Sequence, residues 1–351
     1  MNYVRFIVLG IALGLTIIAG ACGGVEPTPT SAPTPTLVPI TAKLLTLSND
    51  SPHVTVIDAE TKLILQTTDM VDFTKWTWND DNNYFDGQHL WLGMKYPEGD
   101  DGVVIALNVD TLTVHARLSV GKEAKNLYLG KATRNGVLHV GKQASGQVVT
   151  IDTKNFKVLD TWDMPVNGGV VCDADIGIGP DGVERFYYPT QKGDTVVSIN
   201  PDTGETIKIV ETPEGATPLM HTNAPDGRMW VQESGSNTNA VFDPVTLDLI
   251  KRFSAGKGPV VATFSPDGEY AYIGHFGEPT VQVVDTGTLE EVTRITVGST
   301  PSKIAVHPNG KYIYAIASKE AGVAVIDTGS WKVTDRIVLG GNPNGMFLWT
   351  D

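Results

Sequence analysis

The chain has 351 residues, of which 41% are hydrophobic and 19% charged, with 37 glycines and 21 prolines. That balance excludes a disordered chain and leaves ample length for a large core. A formal net charge of −14 argues against nucleic acid as a partner and against docking on anionic lipid by charge alone.

Membrane character is confined to the first two dozen residues. "MNYVR" carries one positive charge, and "FIVLGIALGLTIIAGA" at 6–21 is uncharged. The run is too short for a comfortable spanning helix and has the n-region and h-region of a secretory signal. It ends in "IAGAC", and small residues before a cysteine resemble a bacterial lipobox. Residues 1–21 are therefore read as a lipoprotein signal peptide, with Cys22 as the lipidated new N-terminus. Loss of Arg5 with the signal takes the net charge to −15, so the lipid, not a basic patch, would hold the protein at an extracytoplasmic membrane face. Residues 22–39 read as a linker, with prolines at 27, 29, 33, 35 and 39. Proline favours an extended polyproline chain, so this stalk could reach roughly 50 Å. Once Cys22 is lipidated, Cys172 has no intramolecular partner. Its neighbours Asp173 and Asp175 would raise a thiol's pKa, so an inert Cys172 is expected.

From residue 40 onward one sentence is written seven times. An alternating run ends in Asp or Asn and turns within three or four residues, as in "HVTVIDAETKLILQTT" (53–68) and "TVQVVDTGTLEEVTRITVG" (280–298). The shared polar position falls at Asp58, Asn108, Asp152, Asn200, Asp243, Asp285 and Asp327, at gaps of 50, 44, 48, 43, 42 and 42. Each copy reads as a hairpin of half-buried strands. Between copies lie two more strands around Pro-Asp-Gly or Pro-Asn-Gly turns, as in "VVATFSPDGEYAYIG", where proline and glycine supply the fixed and positive φ values. Four strands in each of seven units predict an all-β, seven-bladed β-propeller over 40–351. The chain opens on "AKLLTLSND", a second strand without a first, and finishes on "NPNGMFLWTD", a first strand without a second. The C-terminal strand is therefore expected to close the first blade.

"PSKIAVHPNGKYIYAIAS" and "GVAVIDTGSWKVTDRIVLG" resemble the YVTN-repeat, YncE-like seven-bladed propellers of bacterial exported proteins. The resemblance covers about residues 40–351 and implies the fold; it says little of activity. The same shape serves lactonase-like enzymes, nitrous oxide reductase and the haem d1 domain of nitrite reductase, so activity must be argued from side chains.

Seven histidines match the number in a propeller copper cluster, but register scatters them. His53, His89, His139 and His115 fall in second, third or outermost strands, His221 and His307 on first strands, and His275 in a mouth-side loop. Side chains so dispersed do not share a metal. No Cys-x-x-Cys-His or Gly-x-Ser-x-Gly occurs, so no cofactor and no elbow-type serine is expected. A lactonase-like site would draw on Asp173, Asp175, His275 and Lys303 at the channel mouth, as an acid–base set. Asp81, Asn83 and Asp86 in "NDDNNYFDG" have spacing that could ligate calcium, but no downstream Glu completes an EF-hand loop. Binding is expected at insertions on the mouth side, 67–81, 94–102 and 163–175, because loop elaboration on one face of a regular ring is where partners dock. Trp76 and Trp78 would offer aromatic surface there, with Asp175, His221, His275 and Lys303 beside it. The expected protein is a monomeric ligand- or protein-binding module, or an assembly module. A lactonase-like hydrolase is the alternative, and a redox accessory or cofactor carrier a distant third.

If Cys22 carries the lipid, Cys22→Ser moves the protein from the membrane pellet to the soluble fraction on cell fractionation. Unchanged partition of the variant counts against lipidation.

Overall fold

Twenty-eight strands among the described residues form seven antiparallel sheets of four strands each, arranged as blades in a ring. The computed structural model describes residues 41–48, 53–70, 84–94, 101–122, 126–164 and 173–350. The signal peptide, the linker, Cys22, Trp76, Trp78, Asp81, Asn83 and Cys172 lie outside these residues. Residues 40–351 make one compact unit. Blade 1 is completed by the last strand, Pro343–Thr350, which pairs antiparallel with Ala42–Ser48 from Ala42↔Thr350 to Ser48↔Pro343. The two orphan strands at the chain ends thus complete each other, and main-chain hydrogen bonds rather than a covalent link shut the ring.

The core is not one mass but seven layers. Each hydrophobic cluster joins side chains of two successive blades, including one between blades 7 and 1 that packs Leu44 and Ile57 on Tyr314 and Val325. This is why second and third strands read as continuous apolar runs: both their faces are covered by neighbouring blades. Outermost strands such as Val114–Gly121 instead alternate half-buried and exposed residues, as a sheet edge facing water should.

The repeated Asp or Asn explains itself at the turn between third and fourth strands. In all seven blades its side-chain Oδ1 accepts the backbone N–H of the residue three places on, at 2.7–3.3 Å. That Asx-type bond closes the turn, and the next residue enters the left-handed region. In six blades a side chain bears this strain, at Lys62, Leu112, Phe156, Leu247, Leu289 and Trp331 (φ 50–64°), while blade 4 uses Gly204. A positive φ is uncommon for such residues, so the surroundings must hold them. Burial does: Leu112, Leu247 and Leu289 are at most 4% exposed, and Trp331 packs on Tyr270 and Tyr272 of the preceding blade.

A second device fastens successive blades at the same turn. One register position of the second strand is occupied by Trp91, His139, Tyr187, Trp230, Tyr272 and Tyr314 in blades 2 to 7. From there the Tyr187 hydroxyl donates to the Pro244 carbonyl, and the Tyr314 hydroxyl donates to the Ala59 carbonyl across the closure at 2.6 Å. His139 Nε2 meets the Pro201 carbonyl at 2.8 Å. Each accepting residue directly follows the repeated Asp or Asn. His139 is thus a structural fastener, consistent with its burial, which holds its pKa below the ordinary histidine value despite the bond to Pro201.

Removing one such donor leaves a buried carbonyl unpaired, which costs about 1–3 kcal/mol. Tyr314→Phe is expected to lower the midpoint of chemical denaturation accordingly. A midpoint equal to that of the wild type would remove this fastener from the account.

Candidate functional site

The innermost strands run side by side around the channel, so closely that a Cβ on Gly130 would lie 2.2 Å from the Ala174 carbonyl oxygen, and one on Gly177 2.5 Å from Asn223 Oδ1. Glycine is required there because the neighbouring blade occupies the space. Polar side chains on these strands therefore reach across blade boundaries rather than into open solvent.

Asp173 and His221, on blades 4 and 5, are brought together. Asp173 is fully buried and His221 is 3% exposed. Asp173 Oδ2 accepts the His221 backbone N–H at 2.7 Å and lies 3.3 Å from His221 Nδ1. Burial pushes the Asp173 carboxyl up, against the pull of His221 beside it, and nearby Asp175 pushes the same way. Asp175 opens the innermost strand of blade 4, Asp175–Ile178, and bridges to blade 3. Its Oδ1 accepts the Lys131 and Ile176 backbone N–H groups at 2.5 and 2.8 Å, and its Oδ2 stands 3.8 Å from Lys131 Nζ and 3.5 Å from Asn223 Nδ2. Four atoms of this group, Asp173 Oδ1, both ring nitrogens of His221 and Asn223 Oδ1, are buried with no hydrogen-bond partner among the described residues.

The other candidates stand elsewhere. His275 ends the second strand of blade 6, Tyr270–His275, rather than sitting in a loop, and it is fully buried. Its Nδ1 donates to the Thr280 carbonyl at 2.8 Å and its Nε2 accepts the Gly256 N–H at 3.0 Å. Both ring nitrogens are thus engaged, one tying the third strand of blade 6 and the other the connection from blade 5, and burial keeps the ring's pKa below the ordinary value. In blade 5 the equivalent position is Glu233, which binds Arg252 through both carboxylate oxygens at 2.7 and 2.9 Å. Lys303 precedes the innermost strand of blade 7 and is 4% exposed, three blades on from Asp175.

Asp86, weighed in the sequence as a calcium ligand, is spent inside the protein. Oδ1 accepts the Gln88 and His89 N–H groups at 3.0 and 2.7 Å, and Oδ2 accepts the Trp91 indole N–H at 2.9 Å. Such a carboxylate closes a turn. Among the described residues no group of three His, Cys, Asp or Glu side chains is placed to hold a metal ion.

Sequence reading missed Lys131 and Asn223, which join Asp175 from adjacent blades. The signal was present: Asp173 and His221 are 48 residues apart, as are Asp175 and Asn223. That is about one blade period, and residues one period apart face each other across a boundary.

No family model and no curated protein matches the chain. Solved structures do resemble it. A Bacteroides fragilis protein bearing a provisional 6-phosphogluconolactonase name shares 17% identity, with a TM-score of 0.70 over 90% of this chain and 100% of that one. The periplasmic gluconolactonase of Pseudomonas aeruginosa also shares 17% identity at a TM-score of 0.70, over 88% of this chain and 98% of its own. A functionally unknown protein of Desulfotomaculum acetoxidans shares 17% identity at 0.67, over 88% and 98%. The likeness is one of fold.

Asp173 holds its proton more tightly in the folded chain than in the unfolded one. Its contribution to stability is therefore complete below the ordinary carboxylate value of about 3.9 and is lost as pH rises through its raised folded value. Asp173→Asn, which keeps the acceptor for His221 N–H but carries no charge, is expected to gain stability relative to wild type as pH rises above about 4. Thermal melts across that range check it; a difference that does not vary with pH would contradict the assignment.

Proposed function

We propose that the protein is a lipid-anchored, extracytoplasmic β-propeller that binds a small polyhydroxylated ligand at the channel mouth, beside blades 4 and 5. One observation carries this reading: the unspent hydrogen-bonding capacity of Asp173 Oδ1, His221 Nε2 and Asn223 Oδ1 in a buried setting. Buried polar atoms are rarely left unpaired, and two of these three are oxygens that accept from hydroxyl groups. A sugar or sugar acid supplies such donors at close spacing. The loop carrying Trp76 and Trp78 would then offer the aromatic face on which sugar rings pack.

A second reading is favoured by the pairing itself. A carboxylate beside His221 Nδ1 at 3.3 Å is the arrangement that orients an imidazole as general base, leaving Nε2 for a water molecule. Lactone hydrolysis needs such a base, and one protein of like fold is a gluconolactonase by name. Both side chains are buried, so either reading requires the channel side of this boundary to open to the ligand or to water.

Calorimetric titration with gluconate, together with a pH-stat assay on gluconolactone, tests both. Binding predicts gluconate affinity that falls about tenfold or more in His221→Gln, with lactone opening at the buffer rate. Hydrolysis predicts acceleration over buffer that drops by about 10²–10⁴ in the same variant. Absence of both heat and acceleration would overturn the two readings together.

A further inference from the structure

On the ring face opposite the channel mouth, the turns of blades 2 and 3 line an open cavity of about 540 Å³, a volume typical of small-molecule sites. Its walls come from the turn joining the first two strands of blade 2, the equivalent turn of blade 3, and the third-to-fourth strand turn of blade 3. Nothing in the site at the mouth involves these residues.

In blade 3 the left-handed turn position holds Phe156, which lines the cavity and stacks on Trp91 of blade 2 at 5.5 Å and 14°. The rings of His89 and His115 close on the same phenylalanine at 5.4 and 4.6 Å. An aromatic wall therefore faces the space, with Tyr84 also on the lining.

His89 is the most informative member. It is 6% exposed and its Nε2 has no hydrogen-bond partner among the described residues. Its Nδ1 lies 3.2 Å from Asp86 Oδ2. Burial pushes the Asp86 carboxyl up, but the hydrogen bonds from the His89 and Gln88 N–H groups and from Trp91 outweigh it and hold the acid below its ordinary value. The Asp86 carboxylate accepts from His89 Nδ1–H, which leaves the Nε2 lone pair as an acceptor. A hydroxyl or amine on a ligand would complete it.

Charge on the lining supplies the other requirement. Arg134 and Lys154 both border the cavity, in a chain that is strongly acidic overall; Asp86 is also on the lining, its oxygens engaged by Gln88, His89 and Trp91. Glu184 stands 3.9 Å from Arg134 Nε, and Asp152 lies near Lys154, so these two acids temper the cations without occupying the cavity lining.

We propose that this cavity binds a small aromatic or heteroaromatic molecule bearing an anionic group and a hydroxyl or amine. The ring stacks against Phe156, the anion meets Arg134 and Lys154, and the hydroxyl or amine donates to His89 Nε2. Carboxylates and phosphates share the chemistry these cations recognise.

The test titrates 4-hydroxybenzoate and phenyl phosphate into the full chain, read by calorimetry and by the Trp91 indole N–H signal in NMR spectra. Dissociation constants below about 1 mM are expected, with phenol alone and inorganic phosphate alone binding about tenfold more weakly or worse. Arg134→Gln combined with Lys154→Gln should weaken both anions by about tenfold at unchanged Tm and leave phenol unaffected. Phe156→Leu should weaken every aromatic probe and still fold, because Leu112, Leu247 and Leu289 already fill that turn position in other blades. Silence from both anions at about 10 mM, or equal affinity in the wild type and the double variant, would overturn the proposal.

Discussion

A carboxylate or carboxamide oxygen that accepts one backbone N–H three residues ahead is the contact on which the ring depends. It closes the turn between third and fourth strands, forces the following residue into the left-handed region, and so aims that residue's side chain at the preceding blade. The carbonyl directly after the same Asp or Asn receives the tyrosine or histidine fastener in three blades. One local hydrogen bond thus sets both the hairpin and the docking of neighbours. The half-buried Asp285 and Asp327 carboxyls sit below their ordinary pKa because of these bonds, from the Thr288 N–H and the Ser330 hydroxyl first. The turns therefore keep their charge-assisted bonds through mild acid.

Because the apolar layers lie between blades, the innermost strands and the turn tips are left for polar chemistry. The channel side gathers Lys131, Asp173, Asp175, His221 and Asn223 at two blade boundaries, while the opposite face gathers His89, Arg134 and Lys154 at another. Both groups are assembled from neighbouring blades, and neither could form within one sheet. A repeat protein acquires sites in this way: the repeated residues fix the frame, and departures from the repeat occupy the boundaries.

The architecture was legible because its cause is local. Asp or Asn followed three residues later by Thr, Ser or Asn is written in the chain, and so are the unmatched strands at the two ends. The sites were less legible because their causes are not local. Asp173 meets His221 only through blade spacing, and knowledge of the period finds the pair only if residues one period apart are compared directly. His275 looked like a loop base because nothing in its neighbourhood announces Gly256 and Thr280 as its two partners. Asp86 looked like a cation ligand because its acceptor demand is met by Gln88, His89 and Trp91, which a spacing rule for metal sites does not count.

The pairing of Ala42–Ser48 with Pro343–Thr350 fixes a calendar for the molecule. A ribosome releases the chain from its amino end, so blades 2 to 7 can assemble in the order they emerge, while the three early strands of blade 1 wait exposed. The strand that completes it, Pro343–Thr350, follows all six other blades in the chain. The apolar face shared by blades 7 and 1 therefore stays uncovered until that strand arrives, and a chain that lacks it presents bare surface to chaperones and proteases.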